Sequence, residues 1–307
     1  YIWIPAPSEN KLEKRRKVFL KFAVFLQNPR KYVIMKVIRQ PEKTGGKKGG
    51  KSMNHQEQLE RFAVWLAESR QAVFFGGAGV STESGIPDFR STDGLYNQTY
   101  DEPPEEILSG DYFYRYPEKF YRFYWDKMIY PDAEPGPAHR ALALLEKTGH
   151  LAAVVTQNID GLHQAAGSRR VYELHGSVHH SRCTRCGKSY TLPQLLEKRA
   201  DGEVPHCSCG GIIKPEVVLY GESLNEDTLL GAVNAIRQAD LLIVGGSSLT
   251  VYPAAGLLRY YRGGRLVLIN KTPTPQDESA GLLFRESIGR VLTEVLRIAG
   301  IKEGGEG

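Results

Sequence analysis

The chain has no long apolar segment and few cysteines, and both absences restrict its class. Its 307 residues nowhere approach the roughly eighteen uninterrupted apolar residues of a membrane-spanning helix. Its four cysteines all fall between positions 183 and 209, whereas a disulfide scaffold distributes its cysteines over a small secreted chain. The composition is otherwise that of an ordinary globular protein, and the length suits one large α/β unit or two smaller domains.

The clustered cysteines indicate a metal site and a reducing compartment. Cys183 and Cys186 are separated by two residues, and Cys207 and Cys209 by one. Four thiolates in two close pairs suit tetrahedral zinc, and they leave no open position for water, so we expect a structural zinc. His206 is a possible substitute ligand, and free buried thiols are the alternative to a metal.

The excess of positive charge is confined to the beginning of the chain. Residues 1–52 contain fourteen basic and three acidic residues, which leaves 26 basic and 32 acidic residues in the remainder. The mildly acidic body gives no reason to expect nucleic-acid binding. Residues 48–51 spell Lys-Gly-Gly-Lys just before Met53, as a translated bacterial ribosome-binding site would. We therefore expect Met53 to be the true start, with a basic targeting arm or an interaction tail as the alternatives.

Short apolar runs alternate with helical patterns along the body. The runs at 72–76, 152–155, 241–244 and 265–269 predict buried parallel strands, and 56–69, 137–147 and 228–238 predict helices. In the first helix one face is expected to hold Leu59, Phe62, Ala63, Leu66 and Ala67. The alternation predicts an α/β fold with a doubly wound parallel sheet and a ligand at the carboxyl ends of its strands.

Two insertions interrupt this alternation. The first, about 86–135, is rich in aromatic residues at helical spacing, and the second, about 178–215, contains the cysteines. An aromatic stripe of this kind indicates core packing, or alternatively a lid over a substrate or cofactor, and the two can coexist.

The segment from Gly77 to Arg90 follows the first predicted strand and carries the strongest functional signal. Its small residues allow the backbone to approach a pyrophosphate, whose oxygens the exposed amides can bind. A glycine loop alone is weak evidence. Here, however, Ser-Gly-Ile-Pro-Asp-Phe-Arg follows, and it places a carboxylate, an aromatic ring and a guanidinium in one loop.

This segment and several later ones resemble, in the same order, the motifs of the sirtuins, the NAD-dependent protein-lysine deacylases. The later segments are 156–163, 174–177, the four cysteines, 217–222, 246–249 and 269–270. The resemblance covers roughly residues 60–300 and is to the bacterial type. It implies a Rossmann-like sheet with a smaller zinc-binding and helical insertion domain, and a catalytic domain spanning 53–307. The first insertion would hold a mobile cofactor-binding loop and a small helical subdomain.

The resemblance also implies roles for individual residues. His175 would be the general base, although a core histidine is the alternative. Asn158 and Asp160 would orient the ribose and the nicotinamide amide, although Asp160 could instead cap the following helix.

The implied NAD contacts are Gly77, Ala78, Gly79, Thr82, Asp88, Phe89, Arg90, Gln157, Asn158, Ile159, Asp160, His175, Gly246, Ser247, Ser248, Asn270 and Ile288. The implied substrate-binding strand comprises Val217, Val218, Leu219, Tyr220, Gly221 and Glu222. The peptide would dock as an extended strand between residues 218–222 and 248–251.

The implied activity is NAD-dependent deacetylation of protein lysine, with the acetyl group transferred to ADP-ribose and nicotinamide released. Family members that prefer succinyl or malonyl groups carry Tyr-x-x-Arg in the helical insertion. Here Lys127, not Arg, stands three residues after Tyr124, which predicts acetyl or other uncharged acyl groups. The alternatives are a mono-ADP-ribosyltransferase, a zinc-ribbon binding module and a catalytically silent NAD sensor. Expected partners are acetylated proteins or peptides rather than nucleic acid or membranes, and the protein is expected to be a monomer in the cytoplasm.

Overall fold

The computed structural model describes residues 53–89, 94–95, 100, 102–199 and 203–302. The expected leader, 1–52, and Arg90 lie outside these residues. None of the helices in the described ranges combines the length and the apolar character that a membrane span needs.

A parallel sheet of six strands forms the centre of the described body. The strands in the described residues, in sequence order, are β1 (Ala72–Gly76), β2 (Ala153–Thr156), β3 (Val171–Glu173), β4 (Gly176–Cys183), β5 (Ser189–Thr191), β6 (Ile213–Val217), β7 (Leu241–Gly245), β8 (Leu266–Ile269) and β9 (Leu282–Phe284). The α-helices are α1 (His55–Glu68), α2 (Pro104–Ile107), α3 (Gly110–Arg115), α4 (Pro117–Lys127), α5 (Pro137–Lys147), α6 (Leu162–Ala165), α7 (Leu192–Arg199), α8 (Glu226–Gln238) and α9 (Ile288–Ala299).

The strand order of the central sheet is β3-β2-β1-β7-β8-β9, and all its pairings are parallel. The chain winds outward from β1 to β3, returns to β7 beside β1, and winds outward the other way. This is the predicted doubly wound sheet, and β1 and β7 lie where the strand order reverses, the position at which such sheets have a ligand-binding crevice. Gly76 of β1 is in register with Thr156 and Gly245, so three strands end at the same level beside that crevice.

Helices cover both faces of this sheet. Phe74 of β1 belongs to a core with α1, α5 and α9. Val73 and Phe75 point the other way, into a core with α8 and the 3₁₀ helix Ala254–Tyr260, as the two-residue period of a strand requires. Because β1 is buried on both faces, its sequence is continuously apolar.

Helix α1 begins one residue earlier than the sequence predicts. Asn54 and Glu57 form a capping box, in which each side chain accepts the other's backbone N–H. The predicted face is buried at four of its five positions, but Ala67 is exposed. Its assignment to that face was wrong, because it lies at the edge of the apolar stripe, where the core no longer covers the helix.

The other predicted elements are present, and some of them have shifted ends. Helix α5 has the predicted bounds, β2 lies one residue later than predicted, and α8 begins two residues earlier because Asn225 caps it. The sequence analysis did not predict β3, β9 or α9.

A smaller unit of structure is inserted in the chain between β3 and α8. Strands β4, β5 and β6 form an antiparallel sheet, which extends two residues beyond each end of the predicted insertion. One apolar cluster joins this sheet to α2, α3 and α4. Most of the aromatic stripe is buried in that cluster: Tyr112, Phe113, Phe120, Tyr121, Phe123, Tyr124 and Trp125. Core packing therefore accounts for the stripe, although Tyr124 also lines the cavity described below.

Candidate active site

A cavity of about 1090 Å³ opens at the carboxyl ends of β1, β2 and β7, between the central sheet and the smaller unit. All described members of the predicted NAD-binding set line it, as do all six predicted substrate-binding residues. Its volume is slightly above the usual range for ligand sites, about 300–1,000 Å³, and is large enough for a dinucleotide. The cavity lies at the reversal of the strand order, where ligands bind in open α/β sheets.

Glycines allow the loops after β1 and β7 to come into contact at the floor of this cavity. The Gly79 N–H donates to the Gly246 carbonyl at 2.9 Å. A Cβ on Gly79 would lie 2.7 Å from the Gly246 Cα, and one on Gly246 would lie 2.6 Å from the Val80 nitrogen. Gly246 also has φ +62°, which disfavours other residues. The glycine pattern therefore serves a close backbone approach, a cradle suited to a pyrophosphate.

A hydrogen-bond network centred on Ser81 fixes the polar end of the cavity. The Ser81 hydroxyl donates to Asp160 Oδ2 at 2.6 Å and accepts from Asn158 Nδ2 at 3.0 Å. His139 Nδ1 accepts the Gly136 N–H, so its Nε2 carries the proton and faces the Ser81 oxygen at 3.4 Å. Burial lowers the pKa of His139, which keeps this ring neutral.

Asp160 is held at both carboxylate oxygens. Oδ2 accepts from Ser81, and Oδ1 accepts the Leu162 N–H at 2.9 Å, at the start of α6. The two interpretations of this residue are therefore compatible, because one oxygen satisfies the helix end while the other belongs to the cavity network.

His175 lies between β3 and β4, and its protonation follows from its contacts. Its Nδ1 is 3.0 Å from the Gln157 carbonyl oxygen, which can only accept. The proton must therefore be on Nδ1, and Nε2 is left with a lone pair. Burial lowers the pKa of His175 despite the opposing effect of this backbone hydrogen bond. A neutral imidazole with a basic Nε2 at the cavity is what a general base requires.

The predicted substrate segment, residues 217–222, makes several hydrogen bonds to neighbouring elements. The Val218 N–H donates to the His175 carbonyl at 2.8 Å, and Tyr220 exchanges backbone hydrogen bonds with Leu108 and Gly110 of the helical insertion. Glu222 accepts from Lys214 Nζ at 3.1 Å. Regular strand structure ends at Val217, the last residue of β6, so the prediction of one continuous strand over 217–222 was wrong. The next residues turn toward α2.

Several other predicted NAD contacts make hydrogen bonds within the protein. Gln157 Nε2 donates to Ser247 Oγ at 2.9 Å, Thr82 Oγ1 donates to the Gly79 carbonyl at 3.0 Å, and Asn270 Nδ2 donates to the Thr272 carbonyl at 2.8 Å. These bonds orient the side chains. The remaining members of the set that the structure describes also line the cavity: Gly77, Ala78, Asp88, Phe89, Ile159, Ser248 and Ile288, the last at the start of α9.

The four cysteines meet at one end of the small sheet. Their sulfur atoms all lie within 4.8 Å of one another, and the Cys183–Cys209 and Cys186–Cys207 separations are 3.5 and 3.6 Å. A tetrahedron with Zn–S bonds of about 2.3 Å has sulfur separations of roughly 3.8 Å, so the donor set fits zinc. The single residue between Cys207 and Cys209 does not prevent this geometry. His206 is not in the cluster, and its Nδ1 bonds the Val204 carbonyl at 2.8 Å.

The comparison with known families decides the identity. The model of the Sir2 family matches residues 77–253. The chain belongs to the Sir2 family. An NAD-dependent protein deacetylase of Clostridium acetobutylicum is 54% identical over 243 residues, which cover 78% of this chain and 98% of that protein. One from Cutibacterium acnes is 52% identical, with coverages of 78% and 97%.

Solved Sir2 structures agree in fold as well. A structure described as Sir2 with a p53 peptide and NAD⁺ has a TM-score of 0.71 and 43% identity, and the match covers 80% of this chain and 99% of that one. A structure of Sir2 bound to an acetylated peptide has a TM-score of 0.71 and 41% identity, with the same coverages.

Sequence reasoning assigned no role to three groups of this Sir2-family site. Ser81 is the centre of the polar network, and its serine hydroxyl within the glycine loop was the available signal. His139 was missed because Ser81, its partner in this network, is 58 positions away in sequence. His179 is exposed, yet its Nε2 lies 2.9 Å from the Asp160 carbonyl oxygen and it lines the cavity.

Proposed function

We propose that this Sir2-family protein is an NAD-dependent protein-lysine deacetylase, which transfers an acetyl group from lysine to ADP-ribose and releases nicotinamide. The observation that carries the proposal is the neutral His175 with a basic Nε2, in the cavity that the predicted NAD and peptide residues share. The curated relatives with 54% and 52% identity carry the name of that activity.

NAD and the cavity residues have separate roles in this reaction. NAD supplies the glycosidic bond whose cleavage releases nicotinamide and provides an acceptor for the acetyl group. His175 Nε2 takes a proton from a ribose hydroxyl. Asn158 and Asp160, oriented through Ser81, bind the polar groups of the nicotinamide and its ribose. Phe89 packs against the apolar cluster at the same cavity and shields the reacting ribose from water.

The peptide is bound along residues 217–222. Val217 and Val218 line the apolar channel for the acyl-lysine, and Val218 is hydrogen-bonded to the backbone of His175, so this wall is fixed relative to the base. Backbone pairing gives affinity with little demand on the peptide's sequence.

The favoured acyl groups are acetyl and other uncharged groups. Lys127 lines the cavity, but its ammonium is 3.0 Å from the Asp126 carboxylate, and this hydrogen bond raises the pKa of Lys127. A cation already paired with a carboxylate is a poor partner for a succinyl or malonyl acid, and a lysine lacks the bidentate geometry of arginine.

Residues 53–307 are the proposed catalytic domain, with a cofactor-loop and helical insertion at about 86–135 and a zinc module at about 178–215. The zinc is structural, because four thiolates leave no position for a reacting water. Four reduced thiols also favour the cytoplasm as the compartment. The proposed partners are acetylated proteins or peptides rather than nucleic acid or membranes, and the proposed state is a monomer.

Nicotinamide release from NAD, measured with and without an acetyl-lysine peptide, tests this function. A deacetylase releases nicotinamide only with the peptide and transfers the acetyl group to ADP-ribose, which mass spectrometry detects. Release without the peptide would indicate ADP-ribosyl transfer or NAD hydrolysis and would contradict the proposal. Zinc-loaded, folded protein that releases none under either condition would also contradict it.

A further inference from the structure

Lys214 of β6 directs its charge at the segment that follows its own strand. Its side chain is only 16% exposed, and its Nζ lies 3.1 Å from Glu222 Oε2 and 3.4 Å from the Val217 carbonyl oxygen. Among the residues that the structure describes, Lys214 does not line the cavity, whereas Val217 and Glu222 do. The ammonium therefore contacts the predicted substrate segment from outside the cavity.

The Glu222 carboxylate closes a turn in that segment. Its Oε2 accepts the Leu219 N–H at 2.9 Å as well as the Lys214 ammonium, and the Glu222 N–H donates to the Leu219 carbonyl at 2.9 Å. Leu219, Glu222 and the two residues between them all line the cavity. The conformation of this wall therefore depends on one carboxylate, and Lys214 supplies the cation that neutralises it.

Helix α3 packs against this ion pair. The Lys214 ammonium lies 5.8 Å from the centre of the Phe113 ring, which is fully buried, and a Cβ on Gly110 would lie 3.3 Å from Glu222 Cγ. Removal of one partner from a shielded pair leaves the other charge without compensation, which costs more than the loss of an exposed pair. Without Lys214, the Glu222 carboxylate is better hydrated if it turns toward water, and the turn then loses the hydrogen bond from Leu219.

We infer that Lys214 is a positioning residue, which holds the backbone of residues 217–222 in the conformation that pairs with the acyl-lysine peptide. This inference rests on the proposed function, because it takes those residues as the peptide-binding segment. It assigns the Glu222 carboxylate to the protein's own turn rather than to a charge on the peptide. Loss of the ion pair should therefore weaken the binding of peptides with different flanking charges alike.

Steady-state kinetics of the full-length, zinc-loaded protein test the inference. The concentrations of NAD and of acetyl-lysine peptide are varied in turn, with two peptides whose flanking residues are acidic in one and basic in the other. We expect Lys214→Met to raise the KM of both peptides about 5- to 30-fold, the lower part of the range for a hydrogen bond between charged groups. The kcat and the KM of NAD should stay within about 2-fold of wild type, because the segment binds the peptide equally in the ground state and the transition state.

Further variants separate this role from a general loss of stability. Lys214→Arg keeps a cation that can reach Glu222, so it should keep most of the peptide affinity. Glu222→Gln should raise the peptide KM as Lys214→Met does, and the double variant should bind no more weakly than the weaker single variant, since both changes act through one pair. Lys214→Gln, which is uncharged but polar, replaces Lys214→Met if that variant does not fold.

Arg182→Met is the matched control. Arg182 of β4 lies opposite Lys214 in the same small sheet, and its Nε donates to Glu216 Oε1 at 2.7 Å. The side chains of this pair are 55% and 39% exposed, and neither residue is among the described residues that line the cavity. Its loss should leave the KM values of peptide and NAD unchanged.

Three results would overturn the inference while the proposed function stands. They are a peptide KM in Lys214→Met within about 2-fold of wild type, an equal rise in Arg182→Met, and a rise confined to one of the two peptides. A wild-type enzyme that deacetylates neither peptide would overturn the proposed function, and the inference with it.

Discussion

At the scale of the residue, the proposed catalysis depends on which ring nitrogen of each histidine carries the proton. The Gln157 carbonyl fixes the His175 proton on Nδ1, and the Gly136 N–H fixes the His139 proton on Nε2. The two rings thus have opposite tautomers. His175 presents a lone pair to the cavity, whereas His139 presents a donor to Ser81, which in turn donates to Asp160. The His175 tautomer suits a general base, whereas the His139 tautomer suits a residue that holds Ser81 in place.

The pKa of His175 predicts the acid limb of the pH profile. Burial lowers this pKa below 6.5, so the ring is still mostly neutral when the pH has fallen to 6.5. The enzyme loses activity only at lower pH, where the ring becomes protonated. We expect kcat/KM for the acetyl peptide to be retained at pH 6.5 and to fall below it. A profile that has already lost half of its value above pH 6.5 would contradict this assignment.

Ser81→Ala tests the support of Asp160. It removes a donor to a carboxylate and leaves the Asn158 amide and the His139 N–H without their acceptor, so we expect a loss of about 1–3 kcal/mol in NAD binding. Calorimetric titration with NAD measures it. Ser84→Ala is the control in the same loop, because the described residues provide its buried hydroxyl with no partner. Equal NAD affinity in the two variants would contradict the network.

Sequence alone was informative about residues whose chemistry is carried by a local motif. Asn158, Asp160 and His175 were identified this way, and the structure brings them to one cavity. Ser81 could not be assigned a role, because its partners Asn158 and Asp160 are 77 and 79 positions away. The exposed Ala67 shows the other limit, since helical periodicity does not tell how wide the covering core is.

At the scale of the element, function depends on how close the loops after β1 and β7 approach. Their glycines are backbone requirements, and the parallel register ends β1, β2 and β7 together, so that these loops and the segment after β2 surround one crevice. The loops are thereby positioned by strands that are fully buried.

Gly246→Ala is expected to abolish tight NAD binding, because the new Cβ would lie 2.6 Å from the Val80 nitrogen and would separate the two loops. Gly149→Ala is the matched control. Gly149 also has a left-handed φ, +79°, but nothing lies within 4 Å of the new Cβ. Both variants carry about 1–2 kcal/mol of backbone strain, which thermal unfolding reports. Loss of NAD affinity in both, or in neither, would contradict the argument.

The elements that sequence analysis found are those with long, clear patterns. Strand β1 and helix α5 have the predicted bounds, because five apolar residues and a proline-initiated amphipathic stretch mark them. Helix α9 was missed although Ile288, Val291, Leu292, Val295 and Leu296 have helical spacing and are buried. The three-residue strands β3 and β9 were missed because their pairing depends on neighbours that are distant in sequence.

At the scale of the whole molecule, the small antiparallel sheet joins the zinc site to the active site. Strand β4 runs from Gly176, directly after His175, to Cys183, and it pairs with β6, which ends at Val217. The metal site holds one end of these strands, and the proposed base and acyl channel lie at the other.

Removal of zinc should therefore abolish activity by unfolding this sheet rather than by removing a catalyst. With a strong chelator we expect a lower melting temperature and a loss of nicotinamide release, both restored by added zinc. Tryptophan fluorescence should change in parallel, because Trp125 belongs to the cluster that packs on the small sheet. Metal-free protein with full activity and unchanged stability would contradict the structural role.

The fold class could be predicted from the sequence because strands and helices alternate, and the doubly wound sheet confirms it. The order of the outer strands and the connection of the helical insertion to the substrate segment through Leu108, Gly110 and Tyr220 could not be predicted. Those contacts depend on tertiary packing, which leaves no local pattern.

His175 is the proposed general base, and the deacetylation rate of His175→Ala tests that role most directly. His180→Ala is the matched control, because His180 lies in β4, the strand that begins directly after His175, and its side chain is exposed. We expect a loss of about 10²- to 10⁴-fold in kcat for His175→Ala, with wild-type zinc content and with NAD affinity within a few-fold of wild type. We expect no comparable loss for His180→Ala. Folded His175→Ala protein that deacetylates at the wild-type rate would contradict it.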